Sequence, residues 1–344
     1  MNLKRISKIL LVSALSIGLV FGIFAFLGEA VQAEDDEYHI AVIVKATDSG
    51  FWQDVFTGAE AADEEMENVT IDYLGPPSEA DIAQQVAILE DAVIGRPDAI
   101  VLASTSSDAT VPQVEMAYEQ DTKVILIDNM VHTDSYHSFL ATDNVAGGYL
   151  AAETFVEMAE EDYGLDLSQG VVGHISSMAG VQVLIDRDEG FLTGMEDLAP
   201  DVEILEPRYV DNRIPDALSA AEDIMLSYGD ELVGFWANNN HTGIGVARAI
   251  EEAGVADDFP AIAFDADEDQ IQALRDGYLD ALMVQDPFAM GYEGVHSAIK
   301  AIEGEELDDY VDTGVTVVTQ ENLDDEDIQL LINPEQRKEH VLGQ

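Results

Sequence analysis

Short apolar runs that stop abruptly at a polar residue recur along this chain, each followed by a segment of helical periodicity. That alternation leaves few folds open. The first run is His39-Ile-Ala-Val-Ile-Val-Lys45, which continues through a short polar loop to Phe51-Trp52. Buried strands of a parallel sheet read as continuous apolar runs rather than alternating ones. In open α/β sheets the ligand crevice lies just beyond the carboxyl ends of such strands, where Lys45, Ser49, Phe51 and Trp52 stand.

The pattern predicts further strands at Val69–Leu74, Ala99–Ala103, Lys123–Asp128 and Ser138–Asp143. A second series follows at Val171–Ile175, Val202–Tyr209, Leu232–Ala237, Ala261–Asp265 and Leu282–Gln285, with a final strand at Gly314–Thr319. Helical segments separate them, and Ser78-x-x-Asp81 has the form of a capping box before Ile82. A β-α repeat of roughly 25–35 residues is what βαβ units require. The 344 residues provide for two such domains, with no Gly/Ser/Pro-rich linker between them. The expected fold is α/β, two doubly wound parallel-sheet lobes.

The N-terminus is set apart. Lys4, Arg5 and Lys8 precede an apolar run, Ile9 to Leu27, and Val31-Gln32-Ala33 offers a small-residue cleavage site. Residues 1–33 thus read as a secretory signal peptide, with an uncleaved anchor as the alternative. The chain has no cysteine, hence neither a disulfide framework nor a thiol for lipid attachment. A periplasmic or secreted location is expected. The net charge is −56, spread over helix faces. Nucleic acid, which demands a basic footprint, is excluded as a partner. Such a surface suits high salt, where the Debye length falls to roughly 3 Å at 1 M, and it predicts loss of stability at low ionic strength.

Lys45, Asp128, Asn239, Asp265 and Gln285 all stand just beyond predicted strand ends, drawn from both series, with Phe51, Trp52 and Trp236 nearby. Asp and Asn end strands for turn chemistry alone, but the shared placement points to a crevice between lobes. Carboxylates, amides and flat rings suit a sugar: planar polar groups exchange hydrogen bonds with hydroxyls while aromatics cover the apolar ring face.

These residues resemble the type I periplasmic binding proteins of the ribose-binding kind, the ligand-binding components of sugar ABC importers. The resemblance runs from about Tyr38 to Thr319. It is carried by the first strand with its loop and Phe51-Trp52, Ile-Asp128, Ala-Thr-Asp143-Asn144-Val-Ala-Gly-Gly, Arg187-Asp-Glu-Gly190-Phe191, Ala-Asn-Asn239-Asn, Ala-Phe264-Asp265 and Val-Gln285-Asp-Pro. It implies that Phe51 and Trp52 sandwich the ligand ring, that Ser49, Asp128, Asn239, Asp265 and Gln285 hydrogen-bond to it, and that Arg187 reaches it from the second lobe. Three positions depart from the ribose binders: Asn129 replaces an arginine, Asn212 an aromatic, and Lys45 a small hydroxyl residue. Lys45 either meets a carboxylate, a phosphate or an electron-rich hydroxyl array of the ligand, or pairs internally with Asp128 or Asp265. The implied lobes are 34–142 plus 286–314 and 143–285 plus 315–335, joined by a three-segment hinge, with 336–344 as a tail. The implied partners are a small sugar or polyol and a membrane ABC permease, with the protein itself a monomer.

Other functions find little support. Gly243-Ile-Gly245 lacks the third glycine of a dinucleotide fingerprint, and no phosphate-binding P-loop sequence occurs. Asp265-Ala-Asp267-Glu-Asp269 lacks the glycine and closing glutamate of a calcium loop, and His132 and His137 lack a third metal ligand. Neither cofactor nor metal is expected, and a sugar-modifying enzyme lacks catalytic signatures. A repressor needs an N-terminal helix-turn-helix, which the secretory segment replaces. A sensor presenting its ligand to a chemoreceptor or histidine kinase is the remaining alternative to transport.

Overall fold

The computed structural model describes residues 37–66 and 68–343. The segment read as a signal peptide, residues 1–33, lies outside them. In chain order the strands are β1 Tyr38–Ile43, β2 Val69–Leu74, β3 Ala99–Leu102, β4 Lys123–Ile127, β5 Ser138–Ala141, β6 Val171–Ser176, β7 Glu203–Ile204, β8 Arg208–Tyr209, β9 Leu232–Ala237, β10 Ala261–Phe264, β11 Ala281–Val284, β12 Tyr310–Asp312 and β13 Thr316–Thr319.

They form two sheets. The first runs β12-β5-β4-β3-β1-β2 and is parallel throughout; the second runs β13-β11-β10-β9-β6-β7, with β8 also on β6. Both have the doubly wound 2-1-3-4-5 order, so each has a switch point, between β1 and β3 and between β6 and β9. Strands β3, β4, β9, β10 and β11 have no exposed residue in their length, as strands covered by helices on both faces must. Gln85 fixes the first switch point, donating to the Val44 and Ala103 carbonyls and accepting from the Thr105 N–H.

Each lobe also has one helix pair in very close approach. Helices Gly50–Glu65 and Pro287–Glu303 cross at Gly58 and Gly291, where a Cβ would overlap the Phe288 and Val55 carbonyl oxygens. Helices Asn144–Glu157 and Gln182–Leu198 cross the same way at Gly148 and Gly190, against the Arg187 and Val145 carbonyls. The crossings bring the starts of two of these helices, carrying Phe51-Trp52 and Arg187, to the space between the sheets.

Four local expectations are corrected. Strand β13 pairs antiparallel with β11, because the chain crosses from β12 directly into the second sheet. Val202–Tyr209 is not one strand but two short pieces, interrupted before Pro207. Asp81 makes no side-chain cap bond and Ser78 Oγ accepts from the Ala80 N–H, so the capping box does not form. The segment read as a tail belongs mostly to helix Pro334–Leu342, which packs on Gly50–Glu65. There Lys338 pairs with Glu60 and Glu64, and Arg337 pairs with Asp286 while lying 4.8 Å from the Phe288 ring centroid.

Candidate functional site

The carboxyl ends of the two sheets face one narrow cavity of about 40 Å³. In both lobes an aspartate makes the turn out of the strand. Asp128 after β4 and Asp265 after β10 have φ of 63° and 73°, the left-handed region that Asp tolerates better than most residues. Each donates its backbone N–H to the neighbouring strand, Asp128 to Leu140 and Asp265 to Met283. The same device, used twice, ties each turn to the sheet while its carboxylate lines the cavity.

From the first lobe, Lys45 Nζ lies 2.5 Å from Asp128 Oδ2, and both side chains are almost fully buried. The internal pairing with Asp128 is therefore the one formed. Lys45 Nζ is also 5.5 Å from the Trp52 ring centroid. Phe51 and Trp52 meet edge to face with centroids 4.8 Å apart, a stiff apolar wall at the start of their helix. Ser49 precedes that helix, and its Oγ accepts from Asn240 Nδ2 at 3.3 Å, a contact between the lobes.

From the second lobe, Asp265 accepts from the Asn240 N–H at 3.0 Å and from Gln285 Nε2 at 2.7 Å. Burial pushes its carboxyl above the ordinary carboxylate range, against the pull of Arg187 and these hydrogen bonds. Arg187 is 3% exposed; it donates Nε–H to Asn144 Oδ1 and Nη1–H to the Asn238 carbonyl, and lies 4.0 Å from the Phe264 ring centroid. Its Nη1 is 4.0 Å from Asp265 Oδ2. The next residue, Asp188, anchors the arginine's helix by accepting from Ser176, Trp236 and Asn238. Asn239 caps helix Asn240–Ala253 through Thr242 and also lines the cavity.

Thus both lobes contribute buried acceptors and donors to one narrow space. The periplasmic binding protein domain model matches residues 40–306. The chain belongs to the periplasmic binding protein family. Over 307 residues it is 26% identical to the ribose import binding protein of Salmonella typhimurium, covering 89% of this chain and 95% of that protein. An ABC transporter solute-binding protein of Agrobacterium vitis with bound D-fucose superposes with TM-score 0.79 at 37% identity, over 85% of this chain and 98% of the other. A carbohydrate transporter solute-binding protein of Agrobacterium radiobacter, in complex with D-arabinose, gives 0.82 at 33% identity, over 88% of this chain and all of the other. These relatives of the periplasmic binding protein are solute binders, not enzymes.

Of the residues singled out from sequence, Lys45, Ser49, Phe51, Trp52, Asp128, Arg187, Asn239, Asp265 and Gln285 line this cavity. Asn129 does not. The left-handed turn at Asp128 sends its amide to the Ser104 carbonyl and Ser107 Oγ. Asn212 does not line it either; its Oδ1 accepts from Ser177 and Asn239, and its Nδ2 reaches Glu79 of the other lobe at 3.4 Å. Trp236 is wholly buried in the second lobe, stacked on Phe191. Sequence reasoning missed Glu79, Asn240 and the apolar residues Val181, Val183 and Leu184 at the start of helix Gln182–Leu198. Asn240 had a signal, since it completes the Asn-Asn-Asn run after β9.

Proposed function

We propose that this periplasmic binding protein captures a small sugar or polyol between its lobes and delivers it to an ABC importer in the membrane. It acts as a monomer outside the cytoplasm, in the periplasm or secreted. The observation that carries the reading is convergence. A stiff aromatic pair and Asp128 from one lobe, with Arg187, Asn239, Asp265 and Gln285 from the other, face a single cavity. A hydroxylated ring needs planar acceptors and donors around its rim and apolar area over its face, and the cavity has both. The sugars held by the two Agrobacterium proteins support the same ligand class.

The lobes in this reading are 34–142 with 286–314 and 143–285 with 315–335, hinged near Thr142–Asn144, Gln285–Asp286 and Thr313–Val317. Contacts such as Ser49–Asn240 and Glu79–Asn212 belong to the closed arrangement. A ligand touching both lobes favours that arrangement by its differential affinity, and the closed form is what a permease distinguishes. The test is a thermal-unfolding screen in high salt over pentoses, hexoses, inositols and sugar acids. A true ligand at a hundred times its Kd adds about 2.7 kcal/mol of stability. Absence of any shift across the panel, or turnover of a bound sugar, contradicts the proposal.

A further inference from the structure

Glu79 gives the cavity an odd charge count. It comes from the loop Gly75–Asp81, on the far side of the first switch point, and reaches the cavity wall. The charged side chains lining that wall are two cations, Lys45 and Arg187, and three carboxylates, Glu79, Asp128 and Asp265. Lys45 is taken up by Asp128 at 2.5 Å, and Arg187 faces Asp265 at 4.0 Å. Among the described residues no cation lies within ion-pair distance of Glu79. It accepts from Trp52 Nε1 at 2.7 Å and, weakly, from Asn212 Nδ2 at 3.4 Å. A carboxylate has about four lone-pair sites, so acceptor capacity remains on the atom group that adjoins the ring-stacking wall.

Burial drives the Glu79 carboxyl above its ordinary range, and the nearby Lys45 only partly opposes this. A partly buried carboxylate with no cation beside it takes up a proton more readily, and a positive group on the ligand favours its charged form. A ligand bearing an anion adds a fourth negative charge to the same space, whereas one bearing an ammonium balances the third.

We propose that the cleft selects an amine-bearing sugar or aminocyclitol, its ammonium seated against Glu79, and rejects carboxylated or phosphorylated sugars. This rests on the sugar-binding reading and deepens it. It also assigns Lys45 to charge balance within the wall rather than to an anionic ligand.

The test uses matched sets that differ at one substituent: glucose, glucosamine and glucuronate; galactose, galactosamine and galacturonate; myo-inositol and an aminodeoxyinositol. Affinities are measured by calorimetry in one high-salt buffer near pH 6, where the amines are protonated. A charge-assisted hydrogen bond in a buried site predicts about tenfold or more tighter binding of the amine than of its hydroxyl parent in at least one set, with the acid not bound. In Glu79→Gln, which keeps the shape of the side chain, the amine-to-parent ratio falls to about one whatever the absolute affinities. The proposal is overturned if an acid binds best, if every binding scaffold prefers the hydroxyl parent, or if Glu79→Gln leaves the ratio intact. In each of those cases capture of a sugar between the lobes still stands. If no member of any set binds, this inference fails, and the sugar-binding reading fails with it only when the thermal-unfolding panel is blank as well.

Discussion

Asp265→Ala isolates what the second lobe's carboxylate does. In the native site that carboxylate, 6% exposed, satisfies the Asn240 N–H at 3.0 Å and the Gln285 amide at 2.7 Å, and it balances Arg187. Alanine removes all three partners at once. Each buried donor left unsatisfied costs about 1–3 kcal/mol, more where charge is involved. Alanine also fits poorly at φ 73°, where asparagine is tolerated. The sum, allowing for rearrangement and water entry, is about 2–5 kcal/mol of lost stability in the unliganded protein. Sugar binding falls further, because the ligand's own hydroxyls lose an acceptor. Asp265→Asn keeps the turn and one acceptor oxygen, so it sits between alanine and wild type in stability while still weakening binding. Calorimetry with the best ligand from the screen and thermal unfolding in high salt read both effects. Wild-type stability and affinity in Asp265→Ala would refute the reasoning.

Other changes probe different parts of the structure. Gly291→Ala forces a methyl onto the Val55 carbonyl at the helix crossing behind Phe51-Trp52, and unfolding should show a loss of about 1–3 kcal/mol or more. Lys45→Met leaves the buried Asp128 carboxylate unpaired and should cost about 3–5 kcal/mol, with Lys45→Met/Asp128→Leu recovering part of it in the same melting assay. Asp54 and Asp267 border a second, smaller cavity between the lobes, and burial together with neighbouring carboxylates raises them to about 7 and about 6. Because these folded-state values lie above the unfolded ones, the folded protein binds the extra protons. Stability from this source is therefore greatest at the acid end and is lost as pH rises toward 7. Asp54→Asn should flatten the melting profile between pH 5 and 8 and raise the midpoint more at pH 8 than at pH 5; an equal shift at both ends would contradict the assignment.

The sheet-end residues were legible because a parallel strand dictates where its next residue goes. Lys45, Asp128, Asn239, Asp265 and Gln285 each follow an apolar run, and the topology gathers those ends at one place. Arg187 was legible only through resemblance, since nothing in a helix start fixes which way its side chain turns. Asn129 shows where adjacency fails: the left-handed turn at Asp128 separates the directions of neighbouring side chains. Trp236 shows the other failure, because the alternation that puts Asn239 at the cleft gives no depth for an aromatic inside the strand. Glu79 was hidden by its context. It lies within a segment with the spacing of a helix cap, and only the path of the loop after Gly75-Pro-Pro brings it against Trp52.

The most direct test of the whole account is a crystal structure of the protein with its tightest ligand from the screen. The account predicts one small hydroxylated molecule, its face on Phe51 and Trp52 and its rim held by Asp128, Arg187, Asn239, Asp265 and Gln285, residues of both lobes. A ligand bound elsewhere, or gripped by one lobe alone, would contradict it.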